Sequence, residues 1–401
     1  MKLSYKAITK DSKIVQGLIE ANGVDEAAAY LKERELVPIQ IKKRQETSFL
    51  KFLPFFKKVK SSDIILFTRQ VSSMLVSGLT LLRSLEIFKD QIQNQNITEV
   101  VNYIITDIEG GKSFSLAIAK YPTVFSPIYV SLVKAGEQSG LLDKVLSRLA
   151  DNLEKQDKLK STIRSALMYP IIVIILMIVV IFIMMIFVIP QLTVLYANLN
   201  VPLPLPTQII VSFSHFIVIF WPVVIAIVVG TIFLYRRWHA TLGGRMVIDD
   251  LLLKLPIFGK LIQETTLAEF SRTFGLLVGT GTLVVDALFQ TADTLGNIHY
   301  KNAVKEIAKQ VEKGITIGDA MSLYSLFPPI IIQLVRVGEQ TGKIDESLVS
   351  ASDYFEREVD QTVKTLTTAM EPFIMIVLGI GVSFLIISII TPIYSLISNI
   401  Q

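Results

Sequence analysis

Met168-Tyr-Pro-Ile-Ile-Val-Ile-Ile-Leu-Met-Ile-Val-Val-Ile-Phe-Ile-Met-Met-Ile-Phe-Val-Ile-Pro190 carries no charged side chain and is built almost wholly of Ile, Val, Met and Phe. As an α-helix, Ile171 to Ile189 rises about 28 Å, close to the roughly 30 Å hydrocarbon core of a bilayer. The charge-free zone is wider still, because no Asp, Glu, Lys or Arg occurs from Ser165 to Tyr235. A second apolar run, Ile209 to Tyr235, contains Trp221 and Pro222, and Pro222 predicts a kink. A third, Phe373 to Ile390, follows Pro372, and no charged residue comes after Glu371. Pro170 and Pro372 are expected at the first turn of their spans, where a missing N–H goes unused, and Pro190 closes the first span. The fold class is therefore a mainly α, polytopic membrane protein with three transmembrane helices, at 170–190, 209–235 and 372–392.

Orientation follows from the basic residues. Lys155, Lys158, Lys160 and Arg164 precede the first span, Arg236, Arg237 and Arg245 follow the second, and Arg357 and Lys364 precede the third. The Pro-rich loop 191–208 (Pro202, Pro204, Pro206) and the tail 393–401 contain no Lys or Arg. Since Lys/Arg-rich loops stay in the cytoplasm, the N-terminus and 236–371 are expected there, with the loop and the C-terminus outside it. Met1 to Lys10 lacks the apolar core of a cleavable signal peptide, so the first span is expected to direct insertion.

The two cytoplasmic segments repeat one another. Phe67-Thr-Arg69-Gln aligns with Phe270-Ser-Arg272-Thr, and Gly78 with Gly281. Further on, Gly111-Lys-Ser113 aligns with Gly314-Ile-Thr316, and Phe125-Ser-Pro127 with Phe327-Pro-Pro329. Gly136-Glu137-Gln-Ser-Gly140 aligns with Gly338-Glu339-Gln-Thr-Gly342, and Met168-Tyr-Pro170 with Met370-Glu-Pro372. The register is 203 residues in the first anchors and 202 in the last, so one residue is gapped between them. Each copy reads as a helical bundle, repeat 1 at 61–169 and repeat 2 at about 264–371. Ser61 or Ser62, Thr80, Ser113 and Ser126 are the expected N-caps, and Gly78 a C-terminal stop. The final helix starts near Leu141. Residues 1–45 differ: Leu3 to Ile8, Lys13 to Glu20 and Val37 to Ile41 read as strands around a helix from Val24 to Glu35, with Asn22 or Asp25 near its start, a small α/β module. Residues 46–60 mix basic and aromatic side chains and read as a linker.

Composition removes several function classes. The chain has no cysteine, and its three histidines, His215, His239 and His299, are scattered, so a transition-metal centre lacks ligands. A net charge of +4 with no dense basic block does not predict nucleic-acid binding. Gly110-Gly-Lys-Ser113 invites a phosphate-loop reading, but that motif requires glycine where Thr106 stands, and the second copy has Ile315 in place of the lysine. A glycine stop followed by a serine cap explains it better.

Three sets of polar residues are candidates for contacts. Glu137 and Glu339 have three readings: capping of exposed N–H groups beside Gly136, Gly140, Gly338 and Gly342; a contact with a partner protein or a second copy; or, for Glu137 with Asp143, part of a divalent-ion site. Glu371 is expected at a helix N-terminus, with a polar contact between subunits as the other reading. Arg69 and Arg272 open each repeat as either buried structural pairs or surface contacts.

Across nearly its whole length the chain resembles the GspF/PilC family, the polytopic inner-membrane platforms of type II secretion and type IV pilus systems. The resemblance rests on Tyr5-Lys-Ala7 and Gly17-Leu-Ile-Glu20-Ala21 near the start, Phe67-Thr-Arg69-Gln, the two Gly-Glu-x-x-Gly segments, and Tyr169-Pro170 with Glu371-Pro372. It implies no enzymatic activity and no cofactor. It implies a place in the bacterial inner membrane and assembly with a cytoplasmic hexameric ATPase, pilin or pseudopilin subunits and inner-membrane alignment proteins. A homo-oligomer in contact with membrane lipid is expected. The rival class is a transport protein; against it stand the small number of spans and the absence of charged residues within them, which ion or substrate pathways normally contain. Reporter fusions test the topology: those after Gln401 or within residues 198–205 should read as outside the cytoplasm and one near Lys301 as inside, and a cytoplasmic C-terminus would sink the three-span arrangement.

Overall fold

The computed structural model describes residues 2–8, 14–20, 28, 30–32, 37–43, 59–92, 94–188, 190–191, 193–194 and 205–400. The chain divides into two units, 1–60 and 61–401. In the first unit, β1 (Lys2–Ile8), β2 (Ile14–Glu20) and β3 (Val37–Lys43) form an antiparallel sheet in the order β2-β1-β3. Lys2 lies opposite Glu20 and Ile8 opposite Ile14, while the β1–β3 register shifts between Lys6 and Ala7. The shift skips one residue of β3 next to Pro38. Proline cannot donate to a ladder, so an edge strand with a bulge is where it fits. Residues 28 and 30–32 are helical, with Leu31 buried. The rest of the helix expected at 24–35, and nearly all of the linker, fall outside the described residues.

The second unit is helical. Repeat 1 comprises α1 (Ser61–Val76), α2 (Leu81–Gln91), α3 (Gln95–Glu109), α4 (Phe114–Ala119), α5 (Pro127–Ser139) and α6 (Leu142–Ile183). The local sequence sets each boundary. Thr80, Asn94, Ser113 and Ser126 each accept a hydrogen bond from a backbone N–H in the first turn that follows, and Pro127 occupies the first turn of α5, where its missing donor is not needed. Gly78 and Gly111 take positive φ after α1 and α3, the conformation that ends a helix without a Cβ clash.

A π-helical turn, Met184–Val188, follows α6; then come α7 (Leu205–His239) and α8 (Leu242–Lys254). Repeat 2 consists of α9 (Phe258–Gly279), α10 (Val284–Thr294), α11 (Ile298–Glu312), α12 (Ile317–Ser322), α13 (Pro329–Thr341) and α14 (Ile344–Ile400). Leu81 corresponds to Val284 and Phe114 to Ile317, a register of 203; Pro127 corresponds to Pro329 and Leu142 to Ile344, a register of 202. The gap lies in the connection after the short fourth helix, as the motifs predict.

The two cores hold the same aromatic anchors with different neighbours. In repeat 1, Phe67 packs edge-on against Phe88 at 5.1 Å between centroids and against Phe125 at 5.7 Å, and Phe125 meets Tyr129. In repeat 2, Phe270 and Phe327 stand in the places of Phe67 and Phe125, while Thr291 replaces Phe88 and Ile331 replaces Tyr129. The lost volume returns from the other side: Tyr300 stands where repeat 1 has Ile97, and Phe274 where it has Val71, both packed into the same aromatic cluster. Cores tolerate such exchanges when total volume is kept.

Among the described residues two helices are long and apolar enough to cross a membrane, Leu142–Ile183 and Ile344–Ser383. Their apolar ends are exposed at Leu176, Phe373 and Ile380, as is Phe187 in the π-turn, a large apolar surface that only lipid or protein would cover. Here the structure corrects the expected boundaries. Neither Pro170 nor Pro372 opens a helix: each lies inside one continuous helix that begins in a helical bundle. The divisions expected at 169/170 and 371/372 do not separate elements, and Glu371 is exposed in mid-helix, far from any N-terminus. α9 begins at Phe258, six residues before Glu264, the position that matches Ser61 in the repeat register, and residues 393–400 continue α14. In α7, Phe220 leaves helical geometry (φ −101°, ψ 16°) two residues before Pro222, so the kink falls where the sequence puts it. Phe67 is the keystone of the first core. Phe67→Ala should lower the stability of a soluble Ser61–Lys160 fragment by about 3–5 kcal/mol in urea unfolding, and a loss under 1 kcal/mol would contradict the packing described.

Candidate functional site

The Gly-Glu-x-x-Gly segments build the same joint twice. Gly140 ends α5 in the left-handed region (φ +69°), with Leu141 N–H donating to Gly136 O at 2.9 Å; Gly342 and Lys343 repeat this after α13. Upstream, the half-buried Glu137 turns its carboxylate onto the start of α4. One oxygen accepts from Phe114 N (2.5 Å), the other from Ser115 N (3.0 Å). Glu339 does the same for α12, accepting from Ile317 N (2.6 Å) and Gly318 N (3.0 Å). Helix N-termini leave such N–H groups without intrahelical partners and favour negative charge. Ser113 and Thr316 accept from the next turn's Leu116 and Asp319 N–H groups, completing each cap. Gly136 matters for another reason. A Cβ there would lie 3.1 Å from the Val145 side chain, and one on Gly338 2.9 Å from Ser347, so glycine lets the fifth helix lie against the sixth. Asp143 sits half-buried in the first turn of α6. Among the described residues no group of three or more His, Asp or Glu side chains is arranged to hold a metal ion.

Arg69 and Arg272 fasten the first helix of each repeat to the last. Arg69 forks onto Glu154, with Nε–Oε1 2.6 Å and Nη2–Oε2 2.7 Å, and its Nη2 also reaches Asp151 at 2.5 Å. Arg272 donates Nε and Nη2 to Glu356 Oε1 at 3.2 and 2.7 Å, and Ser352 donates to the same oxygen. The Arg272 side chain is only 7% exposed against 33% for Arg69, so the second latch is the drier one. The hydrogen bond from Arg69 holds the Glu154 carboxyl below the usual carboxylate range. The motifs did not point to Glu154 and Glu356, although they share the 202-residue register and carry the charge that Arg69 and Arg272 require.

The two repeats also touch. α6 and α14 run side by side, joined by Lys155 Nζ–Asp353 Oδ1 at 2.7 Å. α9 leans from repeat 2 onto α6: Gln156 donates to Glu269 (3.1 Å) and Arg148 to Gly279 O (2.7 Å). Burial pushes the Glu269 carboxyl up, opposed by Lys160 and Arg272 nearby and by the Gln156 bond. The corresponding residues of α1 are Leu66 and Val76, both exposed, 45% and 64%. The sequence gives no sign of α8, which repeat 1 does not match. Its buried Asp249 accepts from Ile298 N at 2.8 Å and so caps α11 from outside the bundle, while Arg245 donates to Gly296 O. His239 and His299 meet this helix, at Asp249 Oδ1 (3.9 Å) and Met246 O (3.1 Å). Glutamine at position 137 keeps the size but offers one acceptor oxygen where two are used. Glu137→Gln should therefore cost about 1–2 kcal/mol of stability in chemical unfolding of the Ser61–Lys160 fragment, and an unchanged midpoint would show that the carboxylate does not cap α4.

Comparison with known proteins agrees with this duplicated architecture. The family model described as type II secretion system (T2SS), protein F matches residues 67–190 and again 270–392. Both matches begin at the anchoring phenylalanine of a repeat. A second model, type II secretion system protein F, N-terminal domain, matches residues 4–42. The type IV pilus assembly protein PilC of Thermus thermophilus is 36% identical over 404 residues, covering 99% of this chain and 98% of the relative. The protein of the same name from Pseudomonas aeruginosa is 37% identical over 369 residues, covering 92% and 98%. The type II secretion system protein F of Vibrio cholerae is 27% identical over 395 residues, covering 97% of each. The repeated bundles, their shared joints and these full-length likenesses together assign the chain to the type II secretion system protein F family, of which it is a member.

Proposed function

We propose that the chain is a non-enzymatic inner-membrane platform of a type IV pilus or type II secretion machine, coupling a cytoplasmic hexameric ATPase to the insertion or removal of pilin-like subunits. The observation that carries this is the continuity of α6 and α14, each of which ends one cytoplasmic bundle and runs on without a joint into an apolar span. A displacement imposed on either bundle is then transmitted to the membrane through hydrogen-bonded backbone. The names of the relatives, type IV pilus assembly and type II secretion, supply the setting.

In this reading α7 is the third span, turning at Pro222, and Arg236 and Arg237 at its end keep 236–371 cytoplasmic. The C-terminus then lies outside the cytoplasm, and residues 1–45 form a cytoplasmic α/β module around the observed strands. Alignment proteins and a second copy of the chain are further expected partners. Glu371, exposed on α14 at the membrane edge, is the best placed of the candidate contact residues. Arg69, Arg272, Glu137 and Glu339 are engaged within the chain and would act on partners through the shape of the bundles.

Deletion of the gene, with complementation, tests the reading. Surface fibres or type II-dependent secretion should be lost and then restored by the intact gene. Unimpaired fibres and secretion in the deletion strain would overturn the platform role.

A further inference from the structure

Just on the cytoplasmic side of the two candidate spans, α6 and α14 part to leave an open cleft of about 760 Å³. Ser161, Thr162, Ser165 and Ala166 line one wall; Val363, Lys364, Thr367 and Thr368 line the other. These are equivalent positions of the two repeats at the 202-residue register, facing each other across the cleft. The helices are close both above and below it. Leu159 and Val359 are buried above, Pro170 and Ile374 below, and in the spans a Cβ on Gly381 would lie 3.8 Å from Met177 Sδ.

The level of the cleft is fixed by the sequence. Ser165 is the first residue of the long charge-free stretch and lies about 9 Å before Ile171, comparable with a headgroup layer of about 5–8 Å. Ser161, Thr162, Ser165, Thr367 and Thr368 set hydroxyl groups into a mostly apolar wall, just before the surface turns apolar at Met168, Ile171 and Ile172.

Its charge is set by Lys158 and Lys364, one from each helix. Both are exposed, and among the described residues neither has an ion-pair partner. Lys158 stands two turns above Ser165 on the same face, and Lys364 one turn above Thr368. Glu154 and Asp157 also line the cleft, but Glu154 is neutralised by Arg69. Arg69 also pairs with Asp151, so these charges balance, and Arg164 on the same helix leaves the surroundings net positive. Basic pockets between membrane helices on the cytoplasmic side suit phosphate headgroups, and long lysine stems reach down to them.

We infer that the α6–α14 cleft binds the headgroup of an anionic phospholipid, with Lys158 and Lys364 on its phosphate and the acyl chains running down the apolar surface beyond Met168. The lipid would fill the space between the two homologous helices and hold them apart at the point where they enter the membrane.

The test uses the full-length chain in nanodiscs of phosphatidylcholine with a minor fraction of phosphatidylglycerol, released gently and read by native mass spectrometry. Phosphatidylglycerol should be retained in excess of its share of the bilayer. The double variant Lys158→Gln/Lys364→Gln should reduce that excess by roughly tenfold or more. Lys305→Gln/Lys309→Gln, on α11 and away from the cleft, should leave it unchanged. An excess that survives in the cleft variant overturns the inference, as does its absence in the unaltered chain. Displacement of the retained lipid by millimolar inorganic phosphate would assign the site to free phosphate and equally overturn it.

Discussion

Hydrocarbon cannot hydrogen-bond a peptide group, and α6 and α14 must carry their backbones out of a water-soluble bundle and into it. Helix satisfies that demand residue by residue, and any interruption at the boundary would leave N–H and C=O groups without partners. Much of the architecture follows from keeping the two helices whole. Each starts after a glycine-ended turn of its bundle, is latched to the first helix by an arginine, and continues through a proline without ending. The prolines remove one donor each, from the bonds that Ala166 O and Thr368 O would otherwise receive. In a soluble helix that loss costs about 3 kcal/mol or more; membrane helices tolerate it because side chains, water or neighbours supply the missing partner.

The joints show why the second copy could diverge so far. What is kept between the repeats is the set of groups that satisfy the backbone: Ser113 and Thr316, Glu137 and Glu339, and the left-handed glycines Gly140 and Gly342. What has drifted is the packing, where Phe88 and Tyr129 give way to Thr291 and Ile331 while Tyr300 and Phe274 make up the volume. An unpaired buried N–H has few substitutes, whereas apolar volume can be restored from several directions.

That contrast also separates what was legible in the sequence from what was not. The duplication, the caps at Thr80, Ser113 and Ser126 and the kink at Pro222 each stand where their residues put them, and two of the three expected spans have a candidate helix among the described residues. Pro170 and Pro372 misled because a proline before an apolar run looks the same whether it starts a helix or sits inside one; only the preceding turns, packed into the bundle, decide. The bonding of Glu137 to α4 spans more than twenty residues, so the sequence could offer capping only as one reading among three. The latch partners Glu154 and Glu356 were visible in the repeat register but lie on strongly charged helices, where one glutamate looks like another. α8 and Asp249 have no counterpart in repeat 1, so the strongest signal in the sequence did not extend to them.

The two unbroken helices differ in how their prolines divide them. α14 has 57 residues, and Pro372 splits it into arms of about 42 and 43 Å, while Pro170 leaves about 42 Å of α6 before it and, with the π-turn to Val188, about 27 Å after it. On the proposed platform reading, with both helices pivoting at their prolines, the first is a balanced lever and the second a shortened one. An equal swing of the two bundles would then move the far end of α14 further than that of α6, so that one duplicated domain would yield two displacements of different length.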